Sequence, residues 1–180
     1  MLEDRELLAR IREGDERAFD ELFRRYYTGL VAFSSALLKG RQYSEDIVQD
    51  VLLELWRRRE GLDIGDSCKA YLYRAVRNRA LNEIRHENTV KRSEPIVLDE
   101  MPSSSAAPAD VPVGAQELAA HIERAIAALP DPLRECFQLS RQGGLTYAEI
   151  AGVQQISVKT VEARMGRALK ELRAALAEWL

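Results

Sequence analysis

The six prolines of the 180-residue chain all lie between Pro95 and Pro132, and their placement limits the possible folds more than any other feature. Proline lacks a backbone N–H group and breaks helix interiors, so the long stretches before and after this window can be uninterrupted helix. Apolar residues recur at helical spacing in both stretches, and the best candidate strand, 95–98, is short. The sequence therefore predicts an all-α protein.

A segment rich in proline, serine and alanine separates two helical regions. Residues 102–112 contain three prolines and three consecutive serines, which is typical of a tether that cannot bury a core. We therefore predict two small helical domains, 1–90 and 114–180, joined by a flexible linker over 91–113. Expected helices are 4–13, 16–39, one capped by Ser44, 69–87, 116–129, 133–142, 146–152 and 157–180.

The composition argues against several classes of protein. Cys68 and Cys136 lie far apart, and His86 and His121 are isolated, so no metal, cofactor or disulfide is expected. No apolar run reaches membrane-spanning length, and the first residues lack the pattern of a signal peptide. With no phosphate loop or catalytic cluster either, the sequence indicates a cytoplasmic protein that is not an enzyme and has no small-molecule substrate.

The helix after Ser44 has a polar face that suits a protein partner. At about 100° per residue, one narrow arc is polar, with two aspartates and a single leucine, and the opposite arc is an apolar stripe facing the core. We call this arc the acidic face. Its residues are Asp46, Gln49, Asp50, Leu53 and Arg57.

The next helix has a polar face of opposite character, which we call the arginine–asparagine face. The stretch 69–92 has seven Lys or Arg and two Glu, a local charge of +5, although the whole chain carries −3. Because salt screens charges beyond about 10 Å, this patch suits nucleic acid, while the negative total predicts weak DNA binding by the chain alone. The residues of this face are Tyr71, Arg74, Asn78, Asn82 and Arg85.

The segment 146–167 has the pattern of a helix-turn-helix. Ser157 is expected to cap the second helix, and its inward stripe is expected to include Val158 and Leu169. Small residues, Ala163 and Gly166, would let the outer side approach base edges. The alternative is a solvated charged face on a three-helix bundle. A turn of this kind favours glycine where the chain has Gln155, and a non-glycine residue at positive φ costs on the order of 1 kcal/mol, so the register of the turn is left open.

Taken together, these segments resemble the extracytoplasmic-function (ECF) group of bacterial sigma factors, in the sigma-70 family. The resemblance covers nearly the whole chain. It rests on four segments in the right order: EDIVQDVLLELW at 45–56, AYLYRAVRNRALN at 70–82, ALP at 128–130, and LTYAEIA at 145–151 leading to SVKTV at 157–161. It implies a sigma region 2 helical bundle in the first domain and a sigma region 4 helix-turn-helix in the second.

The resemblance also implies partners and roles for particular residues. Region 2 would bind the β′ clamp helices of core RNA polymerase, and read the −10 promoter element as a melted strand with the help of the loop 61–67. Region 4 would read the −35 element as duplex DNA and touch the β flap. An anti-sigma factor is a further expected partner. Residues implied in polymerase binding are Asp46, Gln49, Asp50, Leu53 and Arg57; in −10 binding, Tyr71, Arg74, Arg77, Asn78, Asn82 and Arg85; in −35 binding, Ser157, Lys159, Thr160, Glu162, Ala163, Gly166 and Arg167.

Two of these residue roles have an alternative, and so does the predicted function. Tyr71 could stack on a base or pack against the protein, and the acidic face could be merely solvated. The rival function is a helix-turn-helix transcriptional regulator that binds DNA as a dimer without polymerase. It would need a ligand-binding or phospho-acceptor domain, and the first ninety residues contain no βαβ pattern for one.

Overall fold

The computed structural model describes residues 3–39, 43–61, 64–65, 67–93 and 113–177. Within these residues the protein has eight α-helices and no strand, which confirms the all-α prediction. No helix in the described segments is both long enough and apolar enough to cross a bilayer. The helices are α1 Asp4–Arg12, α2 Glu16–Leu38, α3 Ser44–Arg57, α4 Cys68–Ser93, α5 Val113–Ala128, α6 Asp131–Arg141, α7 Tyr147–Gln154 and α8 Val158–Ala175.

The chain divides into two compact units. The first contains α1 to α4, and the second contains α5, α6, α8 and most of α7. Helix α4 continues to Ser93 and α5 begins at Val113, so the two helices extend into the ends of the expected linker, 91–113. Between Gly65 and Pro95 the chain contains no proline or glycine, so nothing in the sequence interrupts α4 before Ser93. Residues 94–112, with the candidate strand 95–98, lie outside the described part.

The core of the first unit is built from apolar stripes that face one another. Helix α2 packs on α1, α3 and α4, and α3 packs on α4. The stripes are spaced at three and four residues, as amphipathic helices require. The fully buried side chains include Leu7 and Ile11 of α1, Leu22, Leu30 and Phe33 of α2, Val48, Leu52 and Leu55 of α3, and Leu72 and Val76 of α4.

Two carboxylates hold α1 against α2. Asp4 accepts a hydrogen bond from Arg25 Nη1 at 2.6 Å and another from the Tyr26 hydroxyl. Asp15 caps α2 by accepting two of its first backbone N–H groups, and it also accepts from Arg10 Nε at 2.8 Å. The hydrogen bond from Arg10 is the main cause that lowers the pKa of Asp15. The charge of Asp15 thus serves the helix end and the α1–α2 contact together.

The expectation that Ser44 caps α3 is wrong by one residue. The N-cap is Tyr43, in the left-handed region at φ 91°, and Ser44 is the first helical residue, with a buried side chain. A serine cap accepts from the helix N–H groups only when its own backbone is extended and lies before the helix. Ser44 already has helical backbone, so its hydroxyl cannot do this.

The second unit has a smaller core, in which α8 packs against α5 and α6. Leu172 and Ala168 of α8 are buried against Leu129 and Leu133. Val158 and Leu169, expected to point inward, are 42% and 37% exposed. At about 100° per residue they lie roughly 50–70° from the centre of the buried stripe, beyond the width that the neighbouring helices cover.

A close contact between α2 and α4 gives a test of the packing. A Cβ atom on Gly29 would lie 2.9 Å from the hydroxyl oxygen of the buried Tyr73. Gly29→Ala should therefore destabilise the protein by about 1–3 kcal/mol in urea unfolding. Adding Tyr73→Phe removes the clashing atom. The free energy of unfolding of the double variant should therefore fall by less than the sum of the decreases in the two single variants.

The matched control is Gly152→Ala, because a Cβ atom at this helical glycine would meet no atom within 4 Å. That variant should gain about 0.5–1 kcal/mol, since alanine restricts the unfolded chain more than glycine does. If the decreases in the free energy of unfolding caused by Gly29→Ala and Tyr73→Phe simply add in the double variant, the proposed contact is contradicted.

Candidate protein and nucleic-acid interfaces

The acidic face lies on the side of α3 opposite the core. All five of its side chains are exposed, while Val48, Leu52 and Leu55 on the other side are buried. Leu53 is 45% exposed and sits at the centre of the face, between its acidic and polar neighbours. A large apolar side chain held in water by a well-packed helix is available to a partner protein.

An ion pair joins this face to α4. Arg79 Nη2 lies 2.7 Å from Asp50 Oδ2, and both side chains are about half exposed. Arg79 was not among the site residues expected from the sequence. It precedes Asn82 by three residues, so the two side chains are neighbours on the surface of α4. The sequence places it three residues before Asn82, outside the arc of the arginine–asparagine face, and its partner depends on how α3 and α4 align.

The arginine–asparagine face is exposed along most of α4. Arg74, Asn78, Asn82 and Arg85 are exposed. Arg85 Nη1 donates to Asn82 Oδ1 at 2.9 Å, which orients the Asn82 amide so that its NH2 group can donate to another acceptor. The structure therefore presents hydrogen-bonding and cationic groups side by side.

Two residues expected with this face are placed differently. Tyr71 is half-buried, and burial raises the pKa of its phenol against the opposing effect of Arg58 and Arg74. Its ring thus packs partly against the protein. Arg77 is also half-buried, and at about 100° per residue it lies to one side of the arc that contains Asn78 and Asn82. The structure does not bring Arg77 onto the same face.

The loop before α4 is described only in part. Ile64 is buried, and Ser67 Oγ accepts from the backbone N–H of Ala70 at 3.1 Å, which caps the start of α4. Leu62, Asp63 and Asp66 lie outside the described residues, and so does that part of the expected base-pocket wall.

Helices α7 and α8 form the expected helix-turn-helix. Thr146 and Glu149 form a capping box at the start of α7, in which Glu149 Oε2 accepts from the backbone N–H of Thr146 at 2.8 Å. Helix α7 is followed by its C-cap, Gln155, whose backbone is left-handed at φ 57°. Ser157 then caps α8 by accepting from the backbone N–H of Thr160 at 3.1 Å. Gln155 thus occupies the left-handed position where such a turn favours glycine, which fixes the register that the sequence left open.

The outer side of α8 carries five of the seven residues expected on duplex DNA, all of them exposed. We call these five the recognition face. Thr160 is half-buried, and its hydroxyl lies 2.8 Å from that of Ser157, so both hydroxyls take part in the cap. The residues of the recognition face are Lys159, Glu162, Ala163, Gly166 and Arg167.

Gly166 is not required by the packing of its own domain. A Cβ atom at this position would meet no atom within 4 Å. Glycine inside a helix is less stable than alanine by roughly 0.5–1 kcal/mol. The space that this glycine leaves open lies on the recognition face, where a partner could approach the helix backbone.

Comparison with known proteins assigns the chain to a protein family. The model of sigma-70 region 2 matches residues 22–89, and the model of sigma-70 region 4 matches residues 120–172. The ECF RNA polymerase sigma factors SigK of Mycobacterium tuberculosis (strain H37Rv) and Mycobacterium ulcerans are 28% and 29% identical to this chain over 172 residues, covering 94% of the chain and 91% of each relative. The chain is an ECF sigma factor of the sigma-70 family.

Two solved structures share the fold of this chain. CnrH, in complex with the cytosolic domain of CnrY, is 25% identical with a TM-score of 0.68, and the match covers 97% of both chains. The sigma factor RpoE, in complex with the anti-sigma factor NepR from Bartonella quintana, shares the fold at 22% identity with a TM-score of 0.70, over 88% of this chain and 96% of that one.

Family membership decides between the two functions that the sequence allowed. The protein is an RNA polymerase sigma factor, a transcription initiation factor without catalytic activity, and not a dimeric regulator. The region 2 match contains both the acidic face and the arginine–asparagine face, and the region 4 match contains the recognition face.

The left-handed residue in the helix-turn-helix gives a test of the turn. Gln155→Gly should stabilise the second unit by up to about 1 kcal/mol, because glycine adopts positive φ without the clash between Cβ and carbonyl oxygen. Gln154→Gly is the control: residue 154 is the last residue of α7, so glycine there should lower the stability of that helix. Amide hydrogen exchange in α7 and α8 measures both changes, and a loss of protection in Gln155→Gly would contradict the turn geometry.

Proposed function

We propose that the acidic face of this sigma factor binds the β′ clamp helices of core RNA polymerase. The observation that carries this proposal is Leu53, an exposed leucine surrounded by Asp46, Gln49, Asp50 and Arg57 on a rigid, well-packed helix. The carboxylates can pair with basic groups of the partner, and Leu53 supplies apolar contact at the centre, where binding energy tends to concentrate.

The test is Leu53→Ser, assayed by competition for core polymerase and by run-off transcription. Because residue 53 is exposed, the fold should be kept, while polymerase affinity should fall about ten-fold through loss of a central apolar contact. Ala9→Ser, which puts serine on the exposed side of α1, controls for the lower helix propensity of serine. Leu53→Ser binding core polymerase as tightly as the wild type would refute the assignment of this face.

We further propose that the arginine–asparagine face binds the −10 element as single-stranded DNA. Asn78 and Asn82 can hydrogen-bond an unpaired base, and Arg74 and Arg85 can neutralise the neighbouring phosphates. The oriented amide of Asn82 and the local charge of this helix support the proposal. Tyr71 offers only part of its ring for stacking, because the rest is buried.

The recognition face is proposed to read the −35 element in the major groove. Lys159 and Arg167 can donate to guanine or to phosphate, and Glu162 can accept from cytosine. Ala163 and Gly166 leave room for the helix to approach the base edges. Ser157 and Thr160 contribute by fixing the start of the recognition helix, which is the end that enters the groove in this motif.

The open space at Gly166 makes the −35 proposal testable. Gly166→Gln should leave the helix at least as stable, because glutamine is a better helix former than glycine. Its side chain would fill the space on the recognition face, so binding of the polymerase complex to a −35 duplex should fall at least about ten-fold, the cost of losing one good base contact. Ala174→Gln, on an exposed position near the far end of α8, is the control. Unchanged duplex binding by Gly166→Gln would contradict the role of this face.

The remaining partners and the domain limits are part of the same proposal. We assign promoter binding to domains 1–90 and 114–180, with the segment between α4 and α5 as the linker, and we assign the second domain a contact with the β flap. RpoE, which shares the fold, is in complex with an anti-sigma factor in its solved structure. By analogy, an anti-sigma factor would inhibit this protein by covering the acidic face. We place the protein in the cytoplasm, where core polymerase and promoters are found.

A further inference from the structure

One ion pair connects the two functional faces of the first domain. Asp50 belongs to the acidic face on α3, and Arg79 lies on α4 beside Asn82, with a nitrogen–oxygen distance of 2.7 Å between them. The carboxylate is 54% exposed and the guanidinium is 49% exposed. Polymerase and DNA would therefore each meet one member of the same pair.

The pair is weak enough to be exchanged. Exposed ion pairs gain little because water and salt screen them, and they shift an equilibrium by less than about five-fold. A basic group of a protein partner can replace Arg79 as the ion-pair partner of Asp50. Binding removes water from the acidic face, and charge interactions strengthen as water leaves. Arg79 would then be a cation on the DNA-binding helix without its intramolecular anion.

We propose that the Asp50–Arg79 pair couples polymerase binding to promoter binding, an inference that depends on the proposed roles of the two faces. In the free protein, Asp50 holds Arg79 away from DNA. When core polymerase takes Asp50, Arg79 is released and pairs with a phosphate next to the base held at Asn82. The same carboxylate thus lowers the DNA affinity of the free sigma factor and helps to bind polymerase.

The test compares wild type, Arg79→Gln and Asp50→Asn in three binding measurements. Arg79→Gln frees Asp50, so it should bind core polymerase about two- to five-fold more tightly, the range of an exposed ion pair. We also measure how steeply the logarithm of the DNA-binding constant falls with the logarithm of salt concentration, which we call the salt slope. The polymerase complex of Arg79→Gln should bind a −10 single strand with a salt slope smaller by about 0.7, the value for one lost phosphate contact. Asp50→Asn frees Arg79, so the protein without polymerase should bind the same strand with a slope larger by about 0.7.

Arg24→Gln is the matched control, since it removes one positive charge from an exposed position on α2. If Arg24→Gln tightens polymerase binding as much as Arg79→Gln does, the effect is general electrostatics and the coupling is refuted. It is also refuted if Arg79→Gln weakens polymerase binding, because Arg79 would then only hold Asp50 in position, or if the salt slopes do not change.

Leu53→Ser in the same polymerase assay separates this inference from the proposed function. If Leu53→Ser binds normally, the acidic face is not the polymerase site, and both proposals fail. If Leu53→Ser weakens binding but Arg79→Gln does not strengthen it, only the coupling fails.

Discussion

The packing of α3 and α4 against α2 is the constraint on which the rest of the first domain depends. Each of the three helices buries one apolar stripe in a shared core, and the position of that stripe fixes which residues face outward. The acidic face and the arginine–asparagine face are thus consequences of the same burial. Rotating α3 or α4 about its axis would break its contacts with the core. The same core contacts therefore hold both outward faces rigidly.

The distribution of charge matters more than its sum. A net charge of −3 is unfavourable for binding a polyanion, yet the stretch 69–92 carries +5. Salt screens charges beyond about 10 Å, so DNA at α4 would respond to that local patch. The negative residues on α3 lie on a separate surface, where they would serve a protein partner. A chain arranged in this way suits binding to DNA as part of a larger complex rather than alone.

Much of this organisation could be predicted from the sequence, because helical periodicity decides burial. Spacing alone placed Asp46, Gln49 and Leu53 together on an exposed side of α3. The assignment of these surfaces to polymerase and promoter came from the resemblance to a family and stays a prediction at the level of residues.

The features that could not be predicted from the sequence depend on contacts between helices. The pairing of Asp50 with Arg79 follows from the alignment of α3 with α4, which no local pattern encodes. Val158 and Leu169 are exposed because the neighbouring helices of the second unit cover a narrower stripe than the apolar residues of α8 occupy. The last turn of α4 was not predicted either, because periodicity weakens towards the end of a helix and does not fix the residue at which it stops.

The length of α4 has a consequence for promoter geometry. The helix continues for eleven residues beyond Asn82, to Ser93, and at 1.5 Å per residue this extension is roughly 16 Å long. If the −10 element binds at Asn82, as proposed above, the chain leaves that site along a helix before any linker begins. The distance between the two promoter elements would then depend partly on the fixed length of this helix and partly on the reach of the connecting chain.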